Sequence, residues 1–259
     1  MPELPDVESF RRYLERTSLR REIRRVRVLD PGSLRDVSRQ RLSRELKGRR
    51  FVSTRRHGKH LFAELPGSRW LVMHFGMTGR LEHGDGPPPQ HTRVVYELAG
   101  GSRLAFVDMR RLGFVSLTAD VDDYVRAQDL GPDPLDLSYA ELRDLLRSRR
   151  GGLKSALMDQ PVVAGVGNIY SDEILFQARL DPRTPAAEVD DAGYRRLHRQ
   201  LRRVLRTAAD RDADPGRLPK GWLLPNREDG VPCPRGRGEV RKLTMSGRGA
   251  FWCPECQAR

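Results

Sequence analysis

The sequence predicts an α+β chain built from more than one domain, and three observations carry that reading. Between residues 23 and 117 the chain breaks into short apolar or alternating runs, at 23–29, 50–56, 60–65, 70–75, 93–98, 103–108 and 113–117. Turn residues such as Pro31-Gly32, Pro66-Gly67 and Gly100-Gly101 separate them, and many short strands at this spacing read as a β-sandwich or barrel. Beyond residue 138 the apolar spacing becomes helical. At the junction stands Leu130-Gly131-Pro132-Asp133-Pro134, a Gly/Pro cluster that neither a strand interior nor a helix interior accommodates.

An amphipathic helix is expected at 7–21, from the spacing of Val7, Phe10, Tyr13 and Leu14. After the junction, Ser138 and Glu141 stand at capping-box spacing and open a helix that runs to residue 150. Helical patterns follow at 153–158, 170–178 and 194–208, the last with Leu197, Leu201, Val204 and Leu205 on one face and arginines on the other. The tail, rich in Gly, Pro, Arg and Cys, reads as a small hairpin module. The expected domains are therefore residues 1–130, 131–225 and 226–259.

At 259 residues the chain is long enough to bury a sizeable core. It holds no long uncharged apolar run, which excludes a membrane-spanning helix. The N-terminus carries acids and no apolar core segment, unlike a secretory signal. Three cysteines fit a reducing cytoplasm and exclude a disulfide framework. The 48 Lys and Arg outnumber the 35 Asp and Glu, for a net charge of +13. Residues 11–60 alone hold eighteen basic and five acidic side chains, whereas residues 101–150 are close to neutral. Charge concentrated in this way suits a polyanion, because affinity comes from neutralising adjacent phosphates.

Three motifs carry chemistry. The first is Met1-Pro2-Glu3-Leu4-Pro5. Removal of Met1 leaves a secondary amine on Pro2, and an α-amino group titrates near pH 8, far below a lysine, so it can act as a nucleophile with Glu3 beside it to move protons. The second is Gly165-Val166-Gly167-Asn168-Ile169-Tyr170, a glycine-rich turn feeding a helix. Backbone N–H groups at a helix N-terminus bind phosphate, and Asn168 adds a side-chain donor. The third is Cys233-Pro234-Arg235-Gly236 with Cys253-Pro254-Glu255-Cys256. The spacing is that of a zinc ribbon, but Gly236 stands where the fourth ligand belongs, so Cys233, Cys253 and Cys256 form an incomplete set. A hairpin without metal would have to be held by packing, around Leu243, Phe251 and Trp252.

The three motifs, in this order and spacing over nearly the full chain, resemble the formamidopyrimidine-DNA glycosylase / endonuclease VIII family of base-excision repair enzymes. Pro-Glu-Leu-Pro at residues 2–5 is closer to the formamidopyrimidine branch. The resemblance implies an N-terminal β-sandwich with an N-terminal helix, a helix–two-turn–helix domain and a terminal zinc-finger-like β-hairpin. It implies a bifunctional glycosylase and AP lyase that acts on double-stranded DNA carrying a damaged base or abasic site, forms a Schiff base on Pro2, and cuts by β,δ-elimination. Glu3 matches the catalytic acid and Lys59 the essential hairpin lysine. Asn168 and Arg248 match phosphate-gripping residues, with Lys154 on the same surface. Met77, Arg110 and Leu112 match the loop residues that fill the space left by an extruded base, with His74 beside them. Zinc is the cofactor that the family pattern implies, and the missing ligand at Gly236 stands against it.

The chain departs from the pattern elsewhere too. Leu112 stands where the branch usually has Phe, and Asp6 where it has Glu. The stretch between Ala208 and Cys233 is shorter than the loop that caps 8-oxoguanine in that branch, so the resemblance does not carry over that specificity. Other readings are a lyase for abasic sites or an endonuclease VIII-like enzyme for oxidised pyrimidines, a non-catalytic damage-binding protein, and a basic RNA-binding protein. Retention of Pro2, Glu3 and Lys59 argues against pure binding, and the β-rich first half against the RNA-binding reading. The expected protein is a cytoplasmic, nucleoid-associated monomer without a membrane partner.

Overall fold

A computed structural model of the chain describes residues 1–245 and 247–257. Two compact units divide it: residues 1–2 with 6–128, and residues 3–5 with 129–259.

In the first unit, helix α1 (Leu4–Ser18) precedes strand β1 (Ile23–Val28) and helix α2 (Arg39–Leu46). Seven strands follow: β2 (Thr54–His57), β3 (His60–Leu65), β4 (Arg69–His74), β5 (Arg80–Gly84), β6 (Thr92–Leu98), β7 (Arg103–Val107) and β8 (Phe114–Thr118). They form two four-stranded antiparallel sheets, ordered β1-β6-β7-β5 and β2-β3-β4-β8. Val26, Val94, Tyr96, Leu104 and Phe106 from one sheet pack with Leu61, Ala63, Leu71, Met73 and Val115 from the other. This is a β-sandwich. Helix α3 (Val121–Ala127) covers Phe62 and Val72 with Val121 and Tyr124, and β3 is consequently buried on both faces and shows no alternation.

The differences from the sequence reading have local causes. The first helix starts at Leu4 rather than residue 7, and its last turn ends at Ser18 because the chain turns through Arg20 at φ +64. Helix α2 leaves little periodic signal because only Leu42 and Leu46 of its eight residues are buried. Strand β5 lies at a sheet edge and turns only Leu81 fully inward.

The second unit is helical. Helices α4 (Tyr139–Arg147), α5 (Leu153–Met158), α6 (Asn168–Ala178) and α7 (Asp191–Asp210) share one core of Leu142, Leu153, Leu157, Ile174, Leu197, Leu201 and Leu205. The capping box at α4 is complete, with Ser138 and Glu141 bonded reciprocally. Strands β9 (Arg241–Met245) and β10 (Arg248–Trp252) form the terminal antiparallel hairpin. Phe251 packs with Phe176, Leu223, Val240 and the cysteines, whereas Leu243 stays half-exposed outside that cluster, contrary to the packing role expected of it. Trp252 is buried under the guanidinium of Arg183, 4.3 Å from the ring centroid. Among the described residues no helix is long and apolar enough to cross a membrane.

Helix α6 is buried on nearly every side, including its charged residues Asp172 and Glu173. Burial pushes the Glu173 carboxyl up to about 7, against hydrogen bonds from Gln177 and the Leu224 N–H that lower it. The native state therefore holds a proton that the unfolded chain, titrating near 4.5, releases first. The stability this contributes is complete below about pH 4.5 and is lost as the pH rises through about 7, on the order of 3 kcal/mol in all. Denaturant unfolding at a series of pH values should show this decline in the wild type and a flatter profile in Glu173→Gln. An unchanged slope in the variant would assign the decline to another group.

Candidate nucleic-acid interface and active site

Glu3 follows Pro2 directly, and its seat is the N-terminus of α6. Its carboxylate, 1% exposed, accepts hydrogen bonds from the N–H groups of Gly167 at 2.7 Å, Ile169 at 2.8 Å and Tyr170 at 3.2 Å. The Leu4 N–H donates to the Gly165 carbonyl at 3.0 Å and fixes the segment. A helix N-terminus suits an anion, and here the anion is the chain's own carboxylate. The reading of these N–H groups as a phosphate cradle is corrected accordingly: Glu3 already uses three of them. Gly167 is required by close approach, since a Cβ there would stand 2.5 Å from Glu3 Cδ.

Lys154 is also placed differently from expectation. It is 1% exposed, and its ammonium donates to Asp172 Oδ1, to Ser171 Oγ at 3.0 Å and to the Asn168 carbonyl at 3.1 Å. Burial pulls its pKa down while Asp172 works against that. The second Asp172 oxygen accepts from Arg227 Nε at 2.9 Å and the Phe251 N–H at 3.1 Å, which pins β10 to α6. Lys154 thus supports the surface from beneath. Asn168 donates its amide to the Gly249 carbonyl at 3.0 Å, next to the exposed Arg248. Lys154, Asn168 and Arg248 are therefore brought together. Arg149, Arg150, Lys154 and Arg248 line a cavity of about 520 Å³, in which Asp159 is the one acid among the described residues.

In the first unit, Lys59 occupies the two-residue turn between β2 and β3, with Gly58 at φ +53 in the first turn position, as primed hairpin turns prefer. Pro2 is half-buried. Met77 is 39% and Leu112 50% exposed, on the loops that follow β4 and β7. Arg110 is exposed beside them. Buried Asp108, which sequence reasoning missed, ties these loops together. It accepts from Thr78 Oγ1 at 2.6 Å and from the Gly113 N–H at 2.7 Å. Gly76, at φ +55, lies so close to Leu112 that a Cβ would meet its carbonyl carbon at 2.4 Å.

His74 stacks on Phe114 with ring centroids 5.3 Å apart. Burial, aided by the charges of Lys59 and Arg35, pulls its pKa to about 4, so the ring is neutral at physiological pH. The Gly76 N–H donates to Nδ1 at 3.3 Å, which leaves the proton on Nε2 as a donor.

Cys233, Cys253 and Cys256 bring their Sγ atoms within 4.8 Å of one another. Gly236 lies at φ +71, with nothing within 4 Å of where a Cβ would stand. Burial pushes the Cys253 thiol up to about 12.

Residues 1–115 match the model of the formamidopyrimidine-DNA glycosylase N-terminal domain, and residues 130–218 that of the formamidopyrimidine-DNA glycosylase H2TH domain. The chain belongs to the formamidopyrimidine-DNA glycosylase family. Among its relatives, the formamidopyrimidine-DNA glycosylase of Moorella thermoacetica is 40% identical, over 99% of this chain and 92% of the relative. That of Thermus thermophilus is 39% identical, over 99% and 98%. A Lactococcus lactis FPG variant in complex with DNA containing Fapy-dG superposes with a TM-score of 0.90 at 29% identity, covering 100% of both chains. The Lactococcus lactis protein in complex with abasic-site DNA gives a TM-score of 0.89 at 28% identity, over 99% of this chain and 100% of that one.

Asp108, Asp172 and Arg227 are the positions to which motif reading gave no role, and Gly167 entered it only as part of the glycine-rich turn. Asp108 alone left a local signal, a single acid ending the apolar run 104–107 just before a turn. Gly167→Ala should displace the Glu3 carboxylate and lower glycosylase turnover by about 100-fold, with duplex binding retained. Single-turnover base release set against a binding isotherm checks this, and full turnover in the variant would show that Glu3 does not need its seat.

Proposed function

We propose that this chain is a bifunctional DNA glycosylase and AP lyase that uses Pro2 as its nucleophile. The observation that carries the reading is the seating of Glu3: a buried carboxylate held by three N–H donors, on the residue next to Pro2. With Met1 removed, the Pro2 amine attacks C1′ of the damaged nucleoside. The C1′–N bond breaks, the base leaves with a proton, and an iminium forms between Pro2 and the opened sugar. Glu3 is the group beside Pro2 that transfers protons during ring opening and elimination. Loss of a C2′ proton expels the 3′ phosphate, and a second elimination expels the 5′ phosphate.

The target base must leave the stack before C1′ can be reached, at a cost of a few kcal/mol. Met77, Arg110 and Leu112 are proposed to fill the vacated space. Lys59, Asn168 and Arg248, with the His74 Nε2–H, are proposed to hold flanking phosphates, and Lys154 to brace Asn168 and the hairpin. Residues 1–130 would then supply the chemistry and, through Lys59 and His74, part of the grip, and residues 131–225 and 226–259 the rest of it. Duplex DNA carrying a lesion or abasic site is the proposed partner, which would place the protein with the nucleoid.

Zinc is the metal that Cys233, Cys253 and Cys256 would hold, through three thiolates with the fourth position left to solvent. Structural zinc sites are normally closed by four protein ligands, so retention should be weak. Elemental analysis after a chelator challenge should find less than one zinc per chain, and stoichiometric zinc would refute this.

Borohydride trapping on duplexes bearing 8-oxoguanine, formamidopyrimidine, dihydrouracil or an abasic site tests the chemistry. A covalent adduct with at least one substrate is expected, and Pro2→Gly should trap far less. No adduct on any substrate that the protein binds would overturn the enzymatic reading. Undiminished trapping by Pro2→Gly would overturn the nucleophile.

A further inference from the structure

The basic excess of residues 11–60 is not spread evenly over the fold. Part of it is neutralised internally. Arg11, Arg12 and Arg56 surround Glu8, Arg11 also pairs with Glu15, and Arg55 pairs with Asp122. A second group gathers in a groove of about 620 Å³ between α2 and β1, lined by Arg25, Arg27, Arg39, Arg44 and Lys47. Among the described residues no acid lines that groove. Arg27 pairs with Glu97 at 3.6 Å. Arg25, Arg39, Arg44 and Lys47 are exposed, and none makes an ion pair among the described residues.

Both walls are built to present charge. On α2, Leu42 and Leu46 face the core, which turns Arg44 to the other side; Arg39 opens the helix and Lys47 caps its end, and both are exposed. On β1, Val26 points inward, so Arg25 and Arg27 share the outer face, about 6.6 Å apart along the strand. The groove runs at the β1 edge of its sheet, and Leu29 is among the residues that line it. Asp30, two residues past β1, pairs with Arg93 at 3.4 Å and with Arg111 at 3.2 Å, and Arg111 lies between Arg110 and Leu112.

We propose that this groove is a second contact for duplex DNA, taking backbone phosphates of the flank that runs on from the lesion-facing loops, without reading sequence. The inference rests on the repair reading above. Its basis is a row of uncompensated cations on two walls, with Asp30, the residue after the lining Leu29, paired to Arg111 in the loop that carries Arg110 and Leu112. Phosphate neutralisation by such a row sets affinity and its salt dependence.

The test is the quadruple variant Arg25→Gln, Arg39→Gln, Arg44→Gln and Lys47→Gln in the full chain. All four side chains are exposed, so the thermal midpoint should match wild type. For undamaged duplex, the slope of log K against log salt should become shallower by about 3 to 4, near 0.9 for each phosphate that the variant no longer neutralises. The single-turnover rate of lesion processing at saturating enzyme should stay at the wild-type value, because none of the four side chains is placed at the reacting sugar. An unchanged salt slope would overturn the proposal. So would wild-type protein that binds an RNA duplex more tightly than DNA through the same four side chains. If wild type fails to trap any lesion, the repair reading falls, while the salt slope still decides whether the groove holds DNA.

Discussion

One carboxylate organises the second unit. Glu3 sits on the N-terminus of α6 and satisfies three N–H groups that a helix leaves without partners. Buried polar groups are costly unless paired, so the first residues of the chain and the turn at 165–170 order each other. Helix α6 can be buried almost completely because its N-terminus is capped in this way. A solvent-facing cap would leave the same N–H groups to water and the helix free to shift. The glycine at 167 follows from the arrangement, since a side chain there would occupy the space of Glu3.

From α6 the order passes outward through Asp172. Its two oxygens face opposite ways, one toward Lys154 and the other toward Arg227 and the Phe251 N–H. A buried ion pair is weak evidence for stability, since desolvation offsets much of the attraction. Its value here is positional: it sets β10 against the helix that carries Asn168. With that clamp, a small apolar cluster and three arginine–aromatic stacks, the hairpin has anchors other than a complete set of metal ligands.

Elements with strong local patterns were legible in the sequence. The strand at 60–65 and the helix at 153–158 begin and end where apolar spacing puts them, and the capping box at Ser138 forms as its residue types require. Elements that depend on remote partners were not. Helix α2 has almost no apolar face, and β5 is held as an edge strand by pairing with β7. The site divides along the same line. Residue types marked Pro2, Glu3, Asn168 and the three cysteines, because their chemistry is written in short motifs, and the family resemblance added Lys59. What each side chain touches was not legible, since Glu3 meets Gly167 across 164 positions of sequence. Lysines are seldom buried, which is why Lys154 read as a surface residue; its partner, Asp172, has no regular spacing from it.

The loops that carry Met77 and Leu112 are joined before any ligand arrives, by the carboxylate of Asp108 and the near-contact of Gly76 with Leu112. A wedge assembled on demand would spend ordering entropy each time it entered the stack. If the joined loops enter the stack as proposed, that ordering is not spent again, and testing one base step after another costs only the local distortion of the DNA. Search speed along undamaged duplex would then be governed by the stiffness of each base step, and not by any folding event in the protein.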